Sequence, residues 1–236
     1  MTRVTMGEFF LFVVCRWYRV YVNVSFNVNP VLYGASIIMK RYFTRLLLAA
    51  CCFGPAISHA YDPSWPRESE LPLLPPYCKA KLFDKPDSPE YASWEATLGT
   101  GFEHTHHYCA GLNFVNRANR TFGNKSDQAQ LLIQSINEFN YVLKHAPQTY
   151  VLMPEILLQK GKALARLQKK GEAIQEFQNA ITLNADYPAA YAALSDQYKD
   201  MGNSAEAKKT LQQGLARLPD SKLLLRRLNE IDKKSR

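Results

Sequence analysis

From Pro154 onward the chain repeats itself with a period of 34 residues. Pro154-Glu-Ile-Leu-Leu-Gln-Lys-Gly161 is followed one period later by Pro188-Ala-Ala-Tyr-Ala-Ala-Leu-Ser195. Ala173 maps onto Ala207, Phe177 onto Leu211, Ala180 onto Gly214 and Ile181 onto Leu215. A fixed period of this length means stacked supersecondary units, none of which buries its apolar face alone. The repeated residues are packing residues. A small residue at the eighth position and alanine or glycine at the twentieth and twenty-seventh let neighbouring helices approach, and an aromatic or leucine at the twenty-fourth fills the space left.

That period and pattern resemble the tetratricopeptide repeat, a helix-turn-helix unit that stacks into a right-handed solenoid. The resemblance implies an all-α fold, with Pro154–Tyr187 as one repeat and Pro188–Ser221 as the next. Leu157, Gly161 and Leu164 fall on the first helix of one unit, and Tyr191, Leu194 and Tyr198 on that of the other. Gly171 and Gly202 sit near the turns, where glycine accepts a left-handed backbone. From Lys222 to Arg236, Leu223, Leu224, Leu225, Leu228 and Ile231 make one amphipathic helix, expected to cap the last apolar face. Upstream, 104–149 reads as a divergent hairpin. His107, Ala110, Gly111 and Phe114 take the interlocking positions of its first helix. Ile133, Ile136, Phe139, Val142 and Leu143 stripe its second. About a dozen extra residues lie between the two.

Residues 61–103 read differently. Pro63, Pro66, Pro72, Pro75 and Pro76 favour extended backbone over regular helix. One short helix is expected, from Pro89 to Leu98, with Ser88 as its cap and Gly99 just past its end. This proline-rich arm is expected to occupy part of the solenoid groove, pinned through Cys78 and Cys109.

The net charge of +8 is unevenly placed. Residues 1–60 carry +5 of it and the remainder only +3. A nucleic-acid partner therefore loses its main support. Met39-Lys-Arg, the apolar stretch from Leu46 to Ile57 and Ser58-His-Ala60 have the three parts of a secretory signal peptide, with Tyr61 as the mature start. Pro55 interrupts the apolar run, which is short for a transmembrane span. Leu48-Ala-Ala-Cys51 resembles a lipobox, a competing reading in which Cys51 is lipidated and contacts a membrane. Because a signal must be N-terminal, residues 1–38 read as a leader outside the native start.

The exported body then holds two cysteines, Cys78 and Cys109. An even pair in an oxidising compartment points to a disulfide worth about 3 kcal/mol in the chain-entropy model. The competing reading is two thiols packed separately.

In the tetratricopeptide family the ligand usually lies in a concave groove lined by the first helices. Carrying its groove positions over gives Thr105, Tyr108, Leu112, Val115 and Asn116 in the first unit. The second unit gives Glu155, Leu158, Lys162, Ala165 and Arg166, and the third Ala189, Ala192, Asp196, Lys199 and Asp200. The pattern that clamps chaperone carboxylates needs Lys and Asn at positions where this chain has Leu158 and Lys162, so that ligand class is disfavoured. His104, His106 and His107, beside Cys109, invite a zinc or copper reading, although only His104 and His107 share a helical face. The same segment resembles the start of some exported bacterial tetratricopeptide proteins. The basic C-terminus has the chemistry to touch lipid headgroups or an acidic partner.

No phosphate-binding loop, nucleophile elbow or His-Glu-x-x-His motif is present, and no cofactor is expected. The leading expectation is an exported, non-enzymatic scaffold that binds a protein or peptide partner of the cell envelope. The alternatives are a periplasmic metal-binding or metal-delivery protein, and an outer-membrane lipoprotein of pilus or polysaccharide-export type.

Overall fold

The computed structural model describes residues 65–234. The leader, the signal segment with Cys51, and Arg236 lie outside the described residues. Nine α-helices are present among the described residues: α1 (Pro76–Phe83), α2 (Pro89–Leu98), α3 (Thr105–Arg120), α4 (Lys125–His145), α5 (Met153–Arg166), α6 (Lys170–Leu183), α7 (Pro188–Asp200), α8 (Ser204–Arg217) and α9 (Lys222–Lys234). Short 3-10 helices span Glu68–Leu73 and Gly99–His104.

From α3 onward successive helices pack as hairpins: α3 on α4, α5 on α6, α7 on α8. Each hairpin leans on the next through α4–α5 and α6–α7. The odd-numbered helices α3, α5, α7 and α9 therefore form one layer and the even-numbered helices the other. This is a short all-α solenoid, and α9 closes its end. Leu224 and Ile231 of α9 complete a buried cluster with Tyr191, Ala207 and Leu211.

The interlock depends on absent side chains. A β-carbon added at Gly161 would lie 2.5 Å from the Phe177 ring, and one at Gly111 only 2.4 Å from the Phe139 ring. Two glycines thus receive two phenylalanines in the same way. The extra residues of the divergent first hairpin lengthen both helices, so the connecting segment 121–124 stays short.

The arm is more regular than its prolines imply. It holds α1 as well as α2, and Pro72 lies inside a 3-10 helix. Pro75 and Pro76 take the cap and first-turn positions of α1, where the missing N–H has no intrahelical partner to lose and the fixed φ favours helix entry. In α2 the Ser88 hydroxyl accepts the Tyr91 N–H at 3.2 Å, and Gly99 follows at φ 70°. One turn also differs from expectation. Gly202 is left-handed at φ 79°, but between α5 and α6 the left-handed residue is Gln168, at φ 62°, and not Gly171. Gly171 lies inside the first turn of α6.

No helix among the described residues is long and apolar enough to cross a membrane.

Candidate partner-binding groove

Two helices of the odd-numbered layer supply the walls. On α3, Leu112, Val115, Asn116 and Asn119 follow helical spacing along one face. On α5, Glu155, Gln159, Lys162 and Arg166 do the same. The arm crosses between them with Leu73 and Pro75, and together these residues line a cavity of about 440 Å³. Asn116 donates its side-chain N–H to the Leu73 carbonyl at 3.0 Å, so the arm's backbone already occupies one hydrogen-bonding position of the groove. The cavity is apolar where Leu112, Val115, Leu73 and Pro75 meet and polar along α5. Arg166 donates to Asn119 Oδ1 at 2.8 Å, tying the ends of α5 and α3 together. Partial burial shifts the Lys162 ammonium and the Arg166 guanidinium below their usual pKa values.

The structure brings Leu112, Val115, Asn116, Glu155, Lys162 and Arg166 together, but not the other groove candidates. Tyr108 is fully buried and so belongs to the core. Its hydroxyl donates to Glu155 Oε1 at 2.8 Å, and its ring stacks on Tyr77 of α1, 6.5 Å between centroids. Leu158 is likewise buried, in a cluster with Leu164, Ala173, Phe177 and Leu194. Thr105 is buried and shares a 2.7 Å hydrogen bond with the Tyr150 hydroxyl. The reason is that arm residues and neighbouring helices cover these positions, whereas the carry-over assumed a bare groove. Asp196 is taken by an ion pair with Arg227 of the cap helix at 3.0 Å, and it also accepts from Lys199 at 3.1 Å. Neither lines the cavity.

The arm is held by contacts that the repeat pattern does not reveal. The Glu70 carboxylate accepts from the Arg67 N–H at 2.9 Å, Asn113 at 2.9 Å, Arg117 Nε at 2.8 Å and Nη2 at 2.7 Å, and Arg120 at 3.1 Å. The Arg117 hydrogen bonds, opposed by burial, hold its pKa down at about 2. Asn113, Arg117 and Arg120 form a polar stripe on α3 beside the groove face, at a helical spacing visible in the sequence. Farther along, Cys78 of α1 meets Cys109 of α3. Both are fully buried and their Cα atoms lie 5.6 Å apart.

The histidines form an aromatic ladder. Trp65 of the arm stacks on His106 at 5.3 Å, and His106 lies 4.3 Å from His107. His107 stacks on Tyr141 at 3.6 Å and shares a 2.6 Å contact with Glu138. Tyr141 in turn meets His145 at 4.1 Å, and His104 meets the Tyr141 edge at 6.1 Å. Burial pushes His106 down to about 4, helped by the neighbouring His107. Among the described residues no three His, Cys, Asp or Glu side chains converge as a metal-holding group. His104, His106 and His107 instead face protein partners.

A larger cleft of about 600 Å³ is lined by Trp65, Lys81, Phe83, Glu103 and His106. It contains none of the groove residues.

The model of the tetratricopeptide repeat family matches residues 154–187, and a second model of the same description matches 171–228. A comparison with curated proteins finds no match. Among solved structures, the chain is similar to the first tetratricopeptide domain of Spaghetti (RPAP3) bound to the HSP90 peptide SRMEEVD. Identity there is 20%, with 52% of this chain and 94% of that chain covered and a TM-score of 0.40. It is similar also to the Sgt2 tetratricopeptide domain from Aspergillus fumigatus, at 17% identity, 52% and 78% coverage and a TM-score of 0.40. The Hsp90 co-chaperone Cns1 from Saccharomyces cerevisiae gives 18% identity, 58% and 41% coverage and a TM-score of 0.42.

Proposed function

Given that this chain is a tetratricopeptide-repeat protein, with its repeats over residues 154–228, we propose that it is an exported scaffold that binds a protein segment in the cavity between α3, α5 and the arm. The observation that carries this reading is the composition of that cavity. It gathers an apolar patch, three side-chain amides (Asn116, Asn119 and Gln159) and two cations from two successive repeat-type helices, and it is open to solvent along one side. An extended peptide needs that combination: apolar contact for its side chains and, for its backbone, Gln159 and the amide groups of Asn116 and Asn119 that Leu73 and Arg166 do not engage. Lys162 and Arg166, opposed in the cavity by Glu155 alone, favour a segment with a net negative charge. The repeats serve binding, and nothing in this reading requires chemistry on the partner.

The signal-like segment 39–60 and the buried Cys78–Cys109 pair both support export into an oxidising compartment, where the two sulfurs form a disulfide. The bond then acts as a clasp that keeps the arm across the groove. In a bacterial host the proposed scaffold works in the envelope, with a partner from an envelope complex. The double substitution Lys162→Glu and Arg166→Glu tests the reading. Affinity capture with it should lose the protein that the unaltered chain retains, with unchanged helix content. Retention of that protein by the charge-reversed chain would remove the groove from the account.

A further inference from the structure

The first hairpin projects beyond the others. Gly111 meets Phe139 as Gly161 meets Phe177, so the two interlocks are equivalent points. Past that point α3 continues to Arg120 and α4 begins at Lys125, whereas α5 stops at Arg166 and α6 begins at Lys170. The first hairpin is therefore longer on that side by about one and a half helical turns, roughly 8 Å. At its tip stands Phe122, 89% exposed. The tip is an ordered turn. Gly123 is left-handed at φ 81°, Asn124 caps α4 by accepting the Asp127 N–H at 3.1 Å, and Gln128 donates to the Ala118 carbonyl at 3.0 Å. A capped turn that holds a phenylalanine almost wholly in water gains nothing for folding from that side chain.

The ends of α5, α7 and α9 lie on the same edge. Arg166 bonds Asn119 near the end of α3, and Lys208 at the start of α8 pairs with Asp232 near the end of α9 at 2.7 Å. Met201, 49% exposed, stands in the turn after α7. This edge carries Lys125, Arg166, Lys169, Lys170, Lys199, Lys208 and Lys233, against the carboxylates Asp127, Glu172, Asp200, Glu206 and Asp232. Lys125, Arg166 and Lys170 have no carboxylate partner among the described residues, while Lys169 pairs with Glu172 and Lys199 with Asp196. On the opposite edge the balance reverses: Lys144, Arg217 and Lys222 stand with Glu103, Glu155, Asp186 and Asp220. The solenoid is therefore polarised, with positive charge gathered around exposed apolar tips on one edge.

We propose that this edge docks on an anionic lipid bilayer, with Phe122 entering the headgroup region and the lysines facing lipid phosphates. Basic side chains around an inserting aromatic are the arrangement that peripheral membrane proteins need. The cations supply attraction that falls with salt, and the ring supplies apolar burial. The inference rests on the hairpin and on edge charges other than Arg166, which the groove shares, and it needs no lipid on Cys51.

The test is co-sedimentation of the full chain with vesicles of phosphatidylglycerol and phosphatidylcholine, beside vesicles of phosphatidylcholine alone. Residues 1–60 have basic and apolar stretches of their own, so the readout is the difference between variants. Phe122→Asp, and separately Lys169→Glu with Lys170→Glu, should each weaken binding to the anionic vesicles about tenfold. Val151→Asp, at a 59% exposed position on the opposite edge, should not. Circular dichroism melting checks that all variants fold. Equal binding by all variants would overturn the proposal, as would equal binding to phosphatidylcholine alone. So would a protein cross-link lost with Phe122→Asp while vesicle binding stays unchanged.

Discussion

Glu70 is the residue on which the arm turns. Its carboxylate is nearly buried and meets two arginines, an asparagine and a backbone N–H. Removing such a group takes away the carboxylate on which Arg117, Arg120 and Asn113 converge, which costs more than the lost hydrogen bonds alone. Because water still reaches the edge of this network, the expected loss for Glu70→Ala is about 2 kcal/mol, below the range for a fully buried pair. Chemical denaturation should show it, and an unchanged midpoint would mean that the arm is held elsewhere. Sequence reasoning could not find Glu70, because its partners on α3 lie 43 to 50 residues away and no local pattern connects them. It could find Gly111 and Gly161, because both take the small eighth position of the repeat. Tyr108 and Leu158 fell between these cases. Their repeat positions were legible, but their burial depends on what packs over them.

At the scale of elements, the repeat helices follow directly from spacing, since α5 to α8 stand where one 34-residue period lies upon the next. The arm was harder to read for a physical reason. Proline density argues against helix interiors, but not against helix starts, and α1 begins at Pro76. Among the described residues the arm is attached to α3 by the Glu70 network, by the Trp65–His106 stack and by Cys78–Cys109. With the disulfide formed, Cys78→Ser should lower stability by about 3 kcal/mol in the chain-entropy model. It should also open residues 65–83 to protease before α5 to α9. Identical cleavage patterns with and without reductant would contradict the clasp.

Across the whole molecule, acid should loosen the arm before the repeats. His106 is held neutral, with its pKa lowered from 6.5 to about 4 by burial and by His107, and with Lys81 and His104 also nearby. The unfolded chain takes up that proton first, so stability falls as pH drops from about 6.5 to 4 and is flat above that window. Glu70 has the same sign in a lower window. Its pKa is lowered from 4.5 to about 2, so its contribution is complete above pH 4.5 and fades toward pH 2. The melting temperature should therefore be lower at pH 4 than at pH 7, and His106→Gln should reduce the difference. An equal slope in that variant would assign the acid sensitivity to other groups. These groups matter because the arm forms one wall of the groove, and the solenoid alone would present a wider, shallower surface. The central claim, that this narrowed groove is where a partner binds, is tested most directly by site-specific photo-crosslinking in the native host. A photoreactive residue at Asn116, inside the cavity, should give a discrete protein adduct, and one at Gln178, exposed on α6, should not. No adduct at position 116, or the same adduct from both positions, would contradict the account.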